Sequence, residues 1–402
     1  MTDIDDGRYV GQQMRVYRRL RGYTQQYLAD ALGVSRTAIT MYESGERPVD
    51  SRELLYGAAE ALNVSVGDLT GHADDKVNPS LTAFHAAIPA IESALMTAGQ
   101  VDTDDDPEPL RTLIDEAKRA VRLRADNDYA SLGAALPRLI TDLYRCTRRG
   151  SARDQAIAWE ALTTTAFTAA LTTKSLGYTS VGWNAARAAA EAATIAENGS
   201  GLAAAEYARA QVLLATPGAL HASLAHSAGS VDRLQGVLQT ASDLELYGML
   251  HLHAALTSAA LGKDPSPHLV EATEAAGRSG NQDVYGLGFG RENVGIWRMS
   301  VALELRDGRG AIEVAQALVP EAIPSVDRRS RYFIELGRAY ALEGNYPSSM
   351  SSLLRAEHIA PQKVRSHTVV RELVGYMLRK ARRDLVRGDL GKLAKRVGAS
   401  TH

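Results

Sequence analysis

The sequence predicts an all-α protein in two unlike parts, a small N-terminal helical domain and a long array of paired helices. Three observations carry that reading. Two short helix patterns meet at a glycine within residues 24–45. From residue 110 onward no strand-like alternation is left, and Ala- and Leu-rich segments of helical periodicity are interrupted at Gly177, Gly199, Gly218, Gly262, Gly280, Gly308 and Gly344. One helix pair, around residues 333–361, carries a complete repeat signature. A chain of 402 residues has room for two or three cores.

In the first part, Thr24 is placed to cap a helix, because its hydroxyl can accept an orphan backbone N–H. Leu28, Ala29 and Leu32 fall on one side of that helix, and Gly33 supplies the turn. Ser35 caps a second helix over residues 35–44. There Ala38, Ile39 and Tyr42 face the first helix, while Arg36, Thr37, Thr40, Met41 and Ser44 share the opposite face. A polar face on a short helix after a tight turn suits a DNA major groove. Charge agrees with this: residues 8–47 hold seven Arg against three acids, in a chain whose net charge is only −2. Pro48 and Asp50, with Glu53 three residues on, open a further helix whose apolar face is Leu54, Leu55, Ala58, Ala59 and Leu62.

Gln25, Leu28, Ala29, Leu32, Gly33, Val34, Ser35, Ile39, Tyr42, Glu43, Gly45 and Pro48 stand at the offsets of the XRE family, and residues 8–71 resemble its lambda-repressor-like, five-helix DNA-binding domain. The resemblance implies that Gln25 holds a backbone phosphate. It also implies that Arg36, Thr37, Thr40 and Met41 read base edges, with Ser35 and Ser44 beside them, and that Arg18 and Glu43 form a structural ion pair. Met41 departs from the polar residue common at its position.

Residues 72–109 read as a linker. A polar hinge over residues 72–79 leads to one helix over residues 81–98, interrupted by Pro89. The acidic, proline-bearing run at residues 99–109 has nothing to bury and reads as a solvated loop. Beyond it, Phe333, Leu336, Gly337, Tyr340, Ser349, Leu353, Ala356 and Pro361 fit the tetratricopeptide pattern. Degenerate pairs are read at residues 246–280 and 293–319. Residues 110–402 are therefore expected to form a tetratricopeptide-like α-solenoid of roughly eight pairs with one concave face, onto which Arg331, Glu335 and Arg338 project. The basic C-terminal stretch, eleven Lys and Arg against three acids over residues 363–396, reads as the polar cap that a terminal repeat needs. An auxiliary DNA contact is the rival reading.

Catalytic constellations are not found. His251 and His253 point apart on a helix, Gly286, Gly288 and Gly290 lack a preceding strand, and Cys146 stands alone, which excludes an intrachain disulfide. No enzyme activity, cofactor or metal is expected. With no signal peptide and no long apolar run, neither is a membrane. A cytoplasmic location is expected. The chain resembles actinobacterial XRE regulators with tetratricopeptide-like C-terminal regions and, more loosely, the peptide-pheromone-sensing regulators of Gram-positive bacteria. That resemblance implies a homodimer on double-stranded DNA with a solenoid that takes a small-molecule or peptide signal. Asn184, Arg187, Arg291, Asn293, Trp297, Arg331 and Arg338 are its candidate ligand contacts, although Trp297 and Asn293 equally suit solenoid core and helix cap. A protein-interaction adaptor using the solenoid groove, with DNA binding secondary, is the competing function.

Overall fold

The computed structural model describes residues 9–70, 79–97, 106–235, 238, 240–280, 283–380 and 388–399, and every regular element among them is helical. The head comprises α1 (Val10–Leu20), α2 (Gln25–Ala31), α3 (Arg36–Glu43), α4 (Arg52–Ala61) and α5 (Val66–Thr70). They close over Met14, Leu28, Ile39, Leu62 and Leu69, none of which keeps accessible surface. The caps are local: the Thr24 and Ser35 hydroxyls accept from Tyr27 N at 3.0 Å and Ala38 N at 3.1 Å. Gly33 takes φ +63° between them, where a Cβ would be strained. The cap of α4 differs from expectation. Ser51 Oγ accepts from Leu54 N, which leaves Asp50 free to pair elsewhere.

Residues 72–78 of the hinge expected over residues 72–79, the end of the head at Gly71 and residues 99–105 of the acidic run expected over residues 99–109 lie outside the described residues. The helix expected after the hinge, α6 (Pro79–Thr97), runs unbroken through Pro89. Leu81, Phe84, Ile88 and Ile91 are buried along one face of it. That burial, about 1.5–3 kcal/mol for each large side chain, offsets the roughly 3 kcal/mol cost of an interior proline. The helix expected in the linker, α6, packs chiefly on α8 (Tyr129–Cys146), which follows α7 (Leu110–Ala125), and all three belong to one core. At their contact a Cβ on Gly133 would lie 2.9 Å from the Phe84 ring.

Antiparallel pairs follow: α9 (Ala152–Ser175) with α10 (Thr179–Ile195), α11 (Gly199–Leu214) with α12 (Leu220–Gln235), and α13 (Ala241–Ala260) with α14 (Ser266–Arg278). Then come α15 (Arg291–Glu304) with α16 (Gly308–Gln316), α17 (Val326–Leu342) with α18 (Tyr346–Ile359), α19 (Pro361–Ser366), α20 (Thr368–Lys380) and α21 (Asp389–Val397). The explicit repeat is α17–α18. Gly337 there lets the helices touch, because a Cβ would stand 2.9 Å from Leu353 Cδ2. The array curls until distant parts meet: Tyr129 N donates to Gln362 Oε1 at 3.3 Å, and Arg124 Nη2 donates to Tyr285 O at 2.7 Å.

The head is seated on this array by polar contacts. Val10 N donates to Glu372 Oε2 at 3.1 Å, and Arg338 Nη2 to Asp50 O at 2.9 Å. Arg306 pairs with the Asp50 carboxylate, and Arg52 with Glu304. Arg379 donates to Gly45 O and stacks over the Tyr9 ring, while Arg371 reaches Thr70 O. Several cations of the C-terminal basic stretch are thus spent inside the molecule. Arg365 and Arg396, which share Glu357, are two more.

Candidate nucleic-acid interface

The site begins at the junction of α1 and α3. Gly11 lies directly under the Tyr42 carbonyl, where an added Cβ would meet the oxygen at 1.8 Å, so only glycine lets α3 rest that close. Arg18 and Glu43 then join the two helices through Nε–Oε1 at 2.5 Å and Nη2–Oε2 at 2.8 Å. Burial pushes the Glu43 carboxyl up, but hydrogen bonds from Arg18 and Gln25 and the Arg18 charge outweigh it and hold the group below its ordinary range. Arg18 and Glu43 are the two residues that the family resemblance pairs.

Gln25 sits beside the pair. Its amide donates to Glu43 Oε2 at 2.9 Å and its carbonyl accepts from Thr40 Oγ1 at 3.3 Å. It orients Thr40 instead of presenting a free amide outward, because the carboxylate of Glu43 is the stronger acceptor within reach. Arg36, Thr37, Thr40, Met41 and Ser44 are all exposed along α3, and so is Ser35, whose hydroxyl is engaged as the cap. No described residue of the solenoid covers that ridge.

Beside it lies a cleft of about 640 Å³ lined by Arg15, Arg19, Gln26, Arg36, Thr40 and Ser44, with Arg18, Glu43 and Gln25 on its floor and Thr24 at its edge. The Arg15, Arg19 and Arg36 guanidiniums make no ion pair and donate no hydrogen bond to a described residue, and all three are exposed. Three fork donors around one concavity form an anion cradle at the spacing of one helix turn. The sequence reading counted these arginines without grouping them. The i, i+4 spacing of Arg15 and Arg19 on the first helix is the signal that finds the cradle.

The candidate ligand contacts do not converge. Asn293 and Trp297 are corrected to core: they keep 2% and 8% of their surface, and Asn293 Nδ2 donates to Leu287 O at 3.2 Å. The reason is the unusual stretch before α15. Tyr285, Leu287 and Phe289 are buried, Phe289 fills the space left by Gly248, and Arg124 and Arg328 hold the loop's carbonyls. That loop joins the early and late helices of the array. Arg187 and Arg291 are exposed and Asn184 is half-buried, away from that loop's core. Arg331 and Arg338 both pair with Glu335, and Arg338 also reaches the head.

Among the described residues no group of three or more His, Cys, Asp or Glu could hold a metal ion, and no helix is long and apolar enough to cross a membrane. The helix-turn-helix family model matches residues 14–69. An uncharacterized HTH-type transcriptional regulator, YazB of Bacillus subtilis (strain 168), is 39% identical over 59 residues, which cover 15% of this chain and 84% of that protein. The crystal structure of Bacillus thuringiensis PlcR in complex with the peptide PapR7 and DNA aligns with 84% of this chain and 99% of its own, at 12% identity and a TM-score of 0.30.

Proposed function

The chain belongs to the helix-turn-helix transcriptional regulators, and from that premise we propose that it reads an inverted-repeat operator as a homodimer whose two α3 ridges stand roughly 34 Å, one duplex turn, apart. In this reading Arg36, Thr37 and Thr40 contact base edges and Met41 meets a thymine methyl. Gln25, Ser35 and Ser44 frame the ridge, and Arg15 and Arg19 take phosphates. Residues 1–71 read DNA, while the helical array over residues 110–402 dimerises and receives a small-molecule or peptide signal in the cytoplasm. A signal acts only so far as it binds the competent and incompetent placements of the two heads unequally.

The observation that carries the reading is the pairing of an exposed α3 ridge with three guanidiniums that have no partner among the described residues. The polar seat of the head supports the sensing role, because it ties α4 and its entry to α15 and α17.

The test is a binding titration of the full chain on duplex DNA from its own upstream region, with the mass of the complex measured. Two chains per duplex, with affinity falling steeply between 50 and 200 mM salt as phosphate contacts require, is the expected result. No retention at low salt, or one chain per site, would sink the proposal.

A further inference from the structure

Three helices of the head have an end that carries no complementary charge of its own. α1 starts at Tyr9, whose side chain does not cap it, and its first turn holds no acid. The last turns of α3 and α5 hold no base. By contrast, the starts of α2, α3 and α4 are capped locally by Thr24, Ser35 and Ser51. The free N–H groups at a helix start favour an anion and the free carbonyls at its end favour a cation. Each of the three ends can therefore take a charge from another element.

One helix of the array, α20, supplies all three. Glu372 Oε2 accepts from Val10 N, the first amide of α1, at 3.1 Å. Beside it, Arg371 Nη1 donates to the carbonyl of Thr70, the last residue of α5, at 3.4 Å, while Arg371 Nε donates to Val397 O on α21 at 2.9 Å. About two turns on, Arg379 Nε donates to Gly45 O, just past α3, at 3.2 Å. The same guanidinium lies 4.3 Å from the centre of the Tyr9 ring, whose hydroxyl donates to the last carbonyl of α3, Glu43 O, at 2.9 Å. Gly375 leaves room for it along the helix, since an added Cβ would stand 3.3 Å from Arg379 Nη1. In each case the sign of the charge suits the helix end that it meets. Glu372 and Arg379 approach each other only to 3.9 Å, too far for a hydrogen bond, so their short bonds are made with the head. Both are sheltered, with 5% and 17% of their side-chain surface exposed, which limits screening by salt.

We propose that α20 sets the angle at which the array presents the recognition helix, and that Glu372 and Arg379 are positioning residues for operator reading. The proposal rests on reading the chain as a dimeric DNA-binding regulator and names what fixes the separation of its two ridges. Arg379 acts on α3 through Tyr9 and Gly45. Glu372 acts on α1, which the Arg18–Glu43 pair and the close approach at Gly11 join to α3. Neither residue lines the arginine cleft, so the loss of either leaves the groups that meet DNA in place and changes only how they are held.

Three variants of the full chain test it: Arg379→Met keeps the stem and removes the donors, Glu372→Gln keeps the shape and removes the charge, and Arg379→Lys keeps the cation. Hydrogen exchange without DNA reads the seating. In Arg379→Met and Glu372→Gln the amides of residues 10–20 and 36–47 are expected to exchange about fivefold faster or more, the scale of coupling between two sites, with α13 and α17 unchanged and Arg379→Lys closer to wild type. Duplex titrations read the positioning. In the first two variants operator affinity falls about fivefold or more, while affinity for random duplex and its salt slope stay as in wild type. Moving the half-sites apart by about five base pairs, half a duplex turn, costs these variants less than it costs wild type. Unchanged exchange in both variants overturns the proposal, and so does faster exchange in α13 and α17 as well, which would make the two residues merely structural. Equal losses on both duplexes with a shallower salt slope would make Arg379 a phosphate contact instead, and an unaltered spacing preference would separate seating from reading. A wild type that binds no duplex counts against the proposed function, while the exchange result still decides whether α20 seats the head.

Discussion

Arg15, Arg19 and Arg36 share a cleft but not a role. Arg19 leaves α1 beside the ridge and is placed for a phosphate, so Arg19→Ala is expected to weaken specific and random DNA alike and to lower the salt slope by about 1. Salt-dependent titrations on both duplexes check it, and a loss confined to the specific site would reassign Arg19 to base reading. A second residue-scale expectation concerns His253, which is fully buried, with Ser227 Oγ 2.7 Å from Nδ1. Burial first, then the charges of Lys174 and His226, bring its pKa down to about 3. The unfolded chain takes up the proton near pH 6.5 while the native state refuses it, so stability is complete above that pH and declines as pH falls from about 6.5 towards 3. At pH 5 the loss from this residue is about 2 kcal/mol. Urea midpoints at pH 7.5 and 5.0 should differ by less in His253→Gln than in wild type, and an equal difference would remove His253 as the cause.

At the scale of elements, what was legible in the sequence was what short-range chemistry determines. The turn at Gly33, the caps at Thr24 and Ser35, the exposed face of α3 and the α17–α18 repeat all rest on residues within a few turns of one another. Contacts between distant segments left no periodic trace. Asp50 suits a cap by its position, but Arg306 and Arg338 claim it from more than 250 residues away. Pro89 suggests a break until the buried face of α6 is known. Asn293 and Trp297 suit a ligand contact by their chemistry, but they follow a loop, Tyr285 to Phe289, whose aromatics and glycines the structure uses for packing. Gly11 gave no signal at all, since its demand comes from the Tyr42 carbonyl on another helix. Gly11→Ala is expected to cost about 1–3 kcal/mol by overpacking and to displace α3, lowering DNA affinity along with stability. Thermal unfolding and duplex titration of that variant check it, and an unchanged pair of values would mean that α1 and α3 separate without penalty.

For the whole molecule, the head neither floats free of the helical array nor hides its reading face against it. The array grips the head through Tyr9, Val10, Gly45, Asp50, Arg52 and Thr70, while the α3 ridge and its arginine cradle stay open to solvent. The seat of the head and its exposed ridge therefore lie on different elements, α4 and its entry against the array and α3 towards solvent. In the proposed reading, a change in how the array holds the head changes how two heads meet half-sites one turn apart.

The most direct measurement is the ratio of affinities for the operator and for random duplex in wild type and in Arg36→Ala, at one fixed salt concentration. A drop of about 1–3 kcal/mol on the operator with random-sequence binding nearly unchanged is the predicted result. Equal losses on both duplexes, or none on either, would mean that the exposed face of α3 does not read bases.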